Sequence, residues 1–143
     1  MRCFLAVPLG GAALAVAQGT LARLQAEIAG VRWTRPETLH ITLHFFGSID
    51  DERVRGALEA VRPVTATTAR FEMTTDRLSA FPDRGSPRVL WLGSSTENPA
   101  MNALAHRVHE RLAASGFAVE ERRFRAHCTL GRVRAPMSLE SRE

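Results

Sequence analysis

Apolar and polar positions change rhythm several times along the chain, and each change marks an element. Arg2 is followed by the apolar run Cys3-Phe4-Leu5-Ala6-Val7, which predicts a buried strand, and Pro8, Gly10 and Gly11 then predict a turn. Residues 12–29 carry Leu21, Leu24 and Ile28 at helical spacing, predicting a helix that Gly30 ends. The stretch 31–46 reads as extended around a turn at Pro36, most clearly over 39–46. Asp50 and Asp51 open a short helix with Val54, Leu58 and Val61 on one face, and Pro63 is expected to stop it. A strand is expected over 71–78, then a Pro-Asp-Arg-Gly-Ser-Pro loop over 82–87. A buried strand around Val89-Leu90-Trp91-Leu92 follows, and the pair reads as an irregular hairpin. Asn98 and Pro99 supply an N-cap and a first-turn proline for a helix that Gly116 stops. Residues 117–121 and 124–133 are the last extended segments.

The element order is β-α-β-α-β followed by β-α-β-β, an α+β pattern. Its two halves match. In each, an apolar strand leads into a helix and then into a strand carrying His-x-Thr-Leu: His40-Ile41-Thr42-Leu43, and after about 87 residues His127-Cys128-Thr129-Leu130. This predicts an internal duplication, with residues 1–143 forming one domain of two intertwined lobes that carry one motif each. The second copy lacks the helix and strand that follow the first. The C-terminal part of the second lobe is therefore expected to be missing, leaving a sheet edge bare.

Alternation on a strand puts His40 and Thr42 on one face and Ile41 and Leu43 on the other, and the same holds for His127 and Thr129 against Cys128 and Leu130. If the halves pack pseudo-symmetrically, two imidazoles and two hydroxyls line one groove. Two histidines that titrate near neutrality can act as base and acid on either side of a phosphodiester, with threonine hydroxyls on its non-bridging oxygens. That chemistry requires no metal and no cofactor.

Composition adds little to this reading. The chain is 45% hydrophobic and 24% charged with no charge block, so it is expected to fold as a globular protein. All 19 basic residues are arginine and the net charge is +4. Guanidinium groups suit phosphate, although a genome biased toward arginine codons explains the same count. Cys3 and Cys128 are expected as reduced, buried thiols. Arg2, the apolar run and Ala15-Val16-Ala17 have the composition of a secretory signal, but the interrupting Pro8, Gly10 and Gly11 favour strand and turn, and a cytoplasmic protein is expected.

Several residues have two readings. His44 shares the strand face of His40 and can touch substrate or simply face solvent. His106 and His109, three apart, suggest a metal pair but have no third ligand in place, so helix-surface residues are expected. Trp33, Phe45, Phe46 and Trp91 can stack a base or fill core. Arg122, Arg123 and Arg125 can hold an RNA backbone or form a solvated basic edge.

The blocks Val31-Arg32-Trp33-Thr34-Arg35-Pro36-Glu37-Thr38-Leu39-His40-Ile41-Thr42-Leu43-His44-Phe45-Phe46-Gly47 and Phe124-Arg125-Ala126-His127-Cys128-Thr129-Leu130-Gly131-Arg132-Val133, with the opening strand Arg2-Cys3-Phe4-Leu5-Ala6-Val7-Pro8, carry a resemblance. The chain resembles the 2H phosphoesterase superfamily and, within it, the bacterial and archaeal RNA 2',3'-cyclic phosphodiesterases, also called 2'-5' RNA ligases. The resemblance implies a bilobal fold, two antiparallel sheets flanking a central cleft with helices outside. It implies hydrolysis of RNA 2',3'-cyclic ends, tRNA halves among them, to 2'-phosphates by a monomer. His40 is then the proton donor to the leaving 3'-oxygen, His127 the base, and Thr42, Thr129 and Arg132 bind phosphate. Parity puts Arg132 on the face opposite His127, so its role requires a bend at Gly131. Phe45, Phe46 and Trp33 are the expected base-stacking rings. An RNA-end binding protein with reduced or no turnover because of the expected C-terminal truncation, or a phosphodiesterase for 2'-5' oligonucleotides or small cyclic nucleotides, are the alternatives.

Overall fold

A computed structural model of the chain describes residues 1–120 and 123–134. In chain order its elements are β1 (Arg2–Pro8), α1 (Gly11–Glu27), β2 (Val31–Trp33), a 3-10 turn (Pro36–Thr38), β3 (His40–Ser48), α2 (Asp51–Thr67), β4 (Arg77–Phe81), β5 (Val89–Gly93), α3 (Pro99–Ala114) and β6 (Cys128–Val133). The chain divides into two compact units. The first comprises Met1–Val7, Thr42–Met73 and Glu97–Ala126, and the second Pro8–Ile41, Thr74–Thr96 and His127–Glu143. Among the described residues no helix is long and apolar enough to cross a membrane.

In the first unit α2 packs on α3. Ala57, Ala60, Val61 and Val64 of one helix and Met101, Leu104, Ala105, Val108 and Leu112 of the other form its core with Leu43 and Phe117. Both helices begin at side-chain caps: Asp50 accepts from the Arg53 amide, and Asn98 from the Met101 amide while donating to the Glu72 carbonyl. These bonds satisfy amides that a helix start leaves without partners. β1 pairs with β3, yet none of its residues is fully buried, and Phe4 is 51% exposed. The buried strand expected there is an edge strand instead, and Cys3 is half-buried rather than buried.

Helix α2 runs through Pro63, where a stop was expected. A proline inside a helix removes one amide donor and crowds the carbonyl four residues back, costing about 3 kcal/mol. Two features offset this. Continuing the helix buries Val64, and the Arg111 guanidinium donates to the loosened turn at the Ala60 carbonyl at 3.0 Å. The Thr67 and Thr68 hydroxyls donate to the Pro63 and Val64 carbonyls beyond it. The apolar face also turns by one position, so Leu58 is 53% exposed and Ala57 is buried in its place.

The second unit centres on β6. On one edge it pairs with β5, which continues to β4 as an antiparallel hairpin closed by the Arg88 amide on the Phe81 carbonyl. On the other edge lie β2, where Val31, Arg32 and Trp33 face Val133, Arg132 and Gly131, and the start of β3, where Ile41 faces Cys128. These two pieces form one edge interrupted by the Pro36–Thr38 turn. Ala17, Leu21 and Leu24 of α1, with Val31, Leu39, Ile41, Leu90, Leu92, Cys128 and Leu130, make the core.

Strand boundaries differ from the sequence pattern in three places. The strand expected over 71–78 is β4, shifted to Arg77–Phe81 by its register with β5. The Asp76 carboxylate instead caps the next turn at the Ser95 amide and hydroxyl. Residues 117–120 form no strand, and β6 begins at Cys128 rather than at Phe124. β3 is divided between the units: Ile41 pairs with Cys128 in the second, and the residues after it belong to the first. Arg122 and the expectation about the C-terminal segment beyond residue 134 lie outside the described residues.

Candidate active site

Both motif histidines belong to the second unit and stand where strands begin, His40 as the first residue of β3 and His127 one residue before β6. The Ile41–Cys128 pair sets their relation. Both of those side chains are fully buried. Alternation therefore directs their neighbours, the half-buried His40, His127 and Thr129, to the other face. On that register His40 lies across from Thr129 and diagonal to His127, and diagonal cross-strand positions are about 7–8 Å apart. Thr42 is half-buried, two residues along β3 from His40, and is where the first unit resumes.

The 3-10 turn fixes the His40 ring. Pro36 starts the turn, and the Thr38 amide and hydroxyl both bond the Arg35 carbonyl. The Thr38 carbonyl then meets His40 Nδ1 at 2.6 Å. A carbonyl oxygen only accepts, so Nδ1 carries a proton and donates it to Thr38. The backbone of His40 also bonds the Cys128 thiol, but burial dominates and pushes that thiol up to about 11. Cys128 is thus a protonated core residue, not a nucleophile.

His127 is oriented by two rings. Phe81 meets it edge-on with centroids 5.2 Å apart, and Trp91 lies 6.0 Å away and stacks on Phe81 at 5.0 Å. Trp91 Nε1 is buried with no hydrogen-bond partner among the described residues. Such a donor costs roughly 1–3 kcal/mol unless a bound molecule satisfies it. Phe81 carried no signal in the sequence, since only the hairpin register places it two residues from Ser79, the partner of Trp91, on the same face. Among the rings expected to stack a base, Phe45 and Phe46 belong to the first unit: Phe45 is exposed beneath Arg2, and Phe46 packs on His44 and Phe117. Trp33 lies on the Gly131 side of β2.

Arg132 reaches the histidine face through a break in β6. Val89 and Leu90 pair with Arg132 and Gly131, whereas Trp91 and Leu92 pair with Thr129 and Cys128. Leu130 is therefore the extra residue of a β-bulge, and beyond it the side-chain parity of β6 is reversed. Cross-strand partners share a face, so Arg132 with Val89 lies on the side of Trp91 and Thr129. Thr34 braces the bulge, its amide donating to the Leu130 carbonyl at 2.8 Å and its hydroxyl to the Thr129 carbonyl at 3.0 Å.

The remaining histidines are in the first unit. His106 contacts Glu110 one turn along α3, as a surface residue. His109 is not a surface residue: half-buried, it donates from Nε2 to the Leu43 carbonyl at 2.7 Å. His44 is buried beside Phe46 and His109. Burial first, then the charge of His109, lower its pKa below the ordinary 6.5, against an opposing pull from Glu120. The folded state thus binds this proton less readily than the unfolded chain. The stability associated with neutral His44 is complete above 6.5 and lost as the pH falls below it toward the depressed folded value. Thermal melts of His44→Phe are expected to fall less on acidification than those of the parent, and parallel curves would contradict this.

The LigT-like phosphoesterase family matches residues 14–91, a span that includes the first motif. The chain is 36% identical over 134 residues to an RNA 2',3'-cyclic phosphodiesterase of Archaeoglobus fulgidus, covering 94% of this chain and 73% of that protein. A protein of the same name from Methanothermobacter thermautotrophicus is 32% identical over 137 residues, covering 95% and 73%. Among solved structures, TT0787 of Thermus thermophilus superposes with a TM-score of 0.71 at 25% identity, covering 96% of this chain and 77% of that one. Escherichia coli LigT complexed with 3'-AMP shares the fold at a TM-score of 0.73 and 23% identity, covering 96% and 76%. With the family match over more than half of its length and close relatives over nearly all of it, this chain belongs to the LigT-like phosphoesterases.

Proposed function

We propose that the protein hydrolyses the 2',3'-cyclic phosphodiester at the end of an RNA to a 2'-phosphomonoester, by acid–base catalysis between His40 and His127. The observation that carries this reading is the Ile41–Cys128 register, which supports both imidazoles and Thr129 on one face. Neutral His127 takes a proton from water as the water oxygen bonds to phosphorus. The bond from phosphorus to the 3'-oxygen breaks, and protonated His40 delivers its Nε2 proton to that oxygen. A second proton exchange with solvent resets both rings. The Thr42 and Thr129 hydroxyls donate to the non-bridging oxygens, and Arg132 balances their growing charge. Phe81 and Trp91, beside His127, are the rings we assign to the terminal base.

The two copies of the motif suit an origin by duplication. β1 and α1 precede β3, with β2 and the 3-10 turn between, as β5 and α3 precede β6; in both cases the first strand and the His-x-Thr-Leu strand are hydrogen-bonded neighbours.

The test is product analysis on an RNA oligonucleotide bearing a 2',3'-cyclic end, incubated with purified protein in excess EDTA. The expected product gains one water and carries a 2'-phosphate. A 3'-phosphate, or RNA binding with no product, would refute the proposal.

A further inference from the structure

We infer that Arg32 extends this site to a second phosphate, the one joining the terminal nucleotide to its predecessor, so that the protein selects RNA chains over cyclic mononucleotides. The inference rests on the phosphodiesterase reading above and concerns a residue outside both motifs. Arg32 is the central residue of β2 and pairs directly with Arg132. Partners across a ladder share a face, so the bulge that brings Arg132 to the side of Thr129 brings Arg32 with it. Burial agrees: Val31 is buried on the core side, whereas Arg32 and Arg132 are both exposed.

Two like charges placed directly opposite one another destabilise a strand pair. Here the backbone is nonetheless held close. Gly131, the neighbour of Arg132, has no side chain, and a Cβ there would lie 2.5 Å from Val31 Cγ1 and 3.2 Å from the Arg32 carbonyl. Neither arginine has an ion-pair partner among the described residues. A dianionic ligand would offset the repulsion between two guanidiniums held in register, which a solvated surface leaves in place. Along β5 the partners of Thr129 and Arg132 are two residues apart, about 7 Å. The arginine pair therefore begins one step along the sheet from the reacting phosphate, within reach of two long side chains. Arg132 serves the cyclic phosphate and Arg32 the next one.

The smallest probe pair is a nucleoside 2'-phosphate and the matching nucleoside 2',5'-bisphosphate, which adds only the phosphate assigned to Arg32. Calorimetric titration of the parent protein is expected to find the bisphosphate at least about tenfold tighter, as a charge-assisted phosphate contact warrants. Arg32→Ala and Arg32→Gln are expected to erase that preference. With a short single-stranded RNA, Arg32→Ala is expected to flatten the salt dependence of binding by about one phosphate contact. Equal affinity of the parent for both probes, an unchanged preference in the variants, or equal loss on both probes would overturn the assignment. The last outcome would place Arg32 on the reacting phosphate. Since binding is read without turnover, a preserved bisphosphate preference with no hydrolysis would count against the catalytic reading alone.

Discussion

His127→Ala and His40→Ala are each expected to lower kcat on cyclic-ended RNA by about 10²–10⁴-fold, the range contributed by one positioned acid or base. KM should change little, because neither ring is the main phosphate ligand in this account. Stability should also be nearly unchanged, since both side chains are half-buried and neither belongs to the core built by Ile41, Cys128 and Leu130. The double variant is expected to lose little more than either single one, as residues acting in one step are not additive. Single-turnover assays with thermal melts check this. A variant that melts as the parent does and turns over within tenfold of it would remove that histidine from the mechanism.

The second large effect is expected at Gly131. Adding one methyl group there would put it 2.5 Å from Val31 Cγ1 and 3.0 Å from Trp33 Cε3, with the Arg32 carbonyl at 3.2 Å. Real carbons do not approach so closely, so β2 must move off β6 or the bulge must flatten. Forcing extra volume into a packed contact costs about 1–3 kcal/mol. Either movement also displaces Arg32 and Arg132 from the face of Thr129. Gly131→Ala is therefore expected to lower stability by that amount in denaturant titration and to weaken RNA binding, while His40 Nδ1 keeps its bond to Thr38. A Gly131→Ala variant of parental stability and affinity would show that the close approach of β2 positions nothing.

How far the sequence could be read depended on whether a feature was local. Asn98 and Pro99 announce α3 because capping and first-turn proline act within four residues, and α3 starts at Pro99. The His-x-Thr-Leu alternation was likewise legible: Ile41, Leu43, Cys128 and Leu130 are all buried and the polar partners are not. Pro63 misled because the features that offset its cost are distant in sequence, Arg111 on the Ala60 carbonyl and the burial of Val64 against α3. Parity alone placed Arg132 on the wrong face. The bend required at Gly131 exists, but as a bulge at Leu130 set by pairing with β5 and braced by Thr34. Phe81 was hidden for the same reason, and Trp91 was left between base stacking and core, since their contact with His127 depends on the register of the β4–β5 hairpin and its pairing with β6.

With His127 proposed as base and His40 as acid, the pH dependence of residual activity in the single variants separates the two roles. The parent enzyme is expected to give a bell-shaped kcat/KM profile on cyclic-ended RNA, falling in acid as the base protonates and in alkali as the acid loses its proton. His127→Ala should lose the acid limb and keep the alkaline one, and His40→Ala should do the reverse. Two variants that both keep the full bell, or that lose the same limb, would contradict the account.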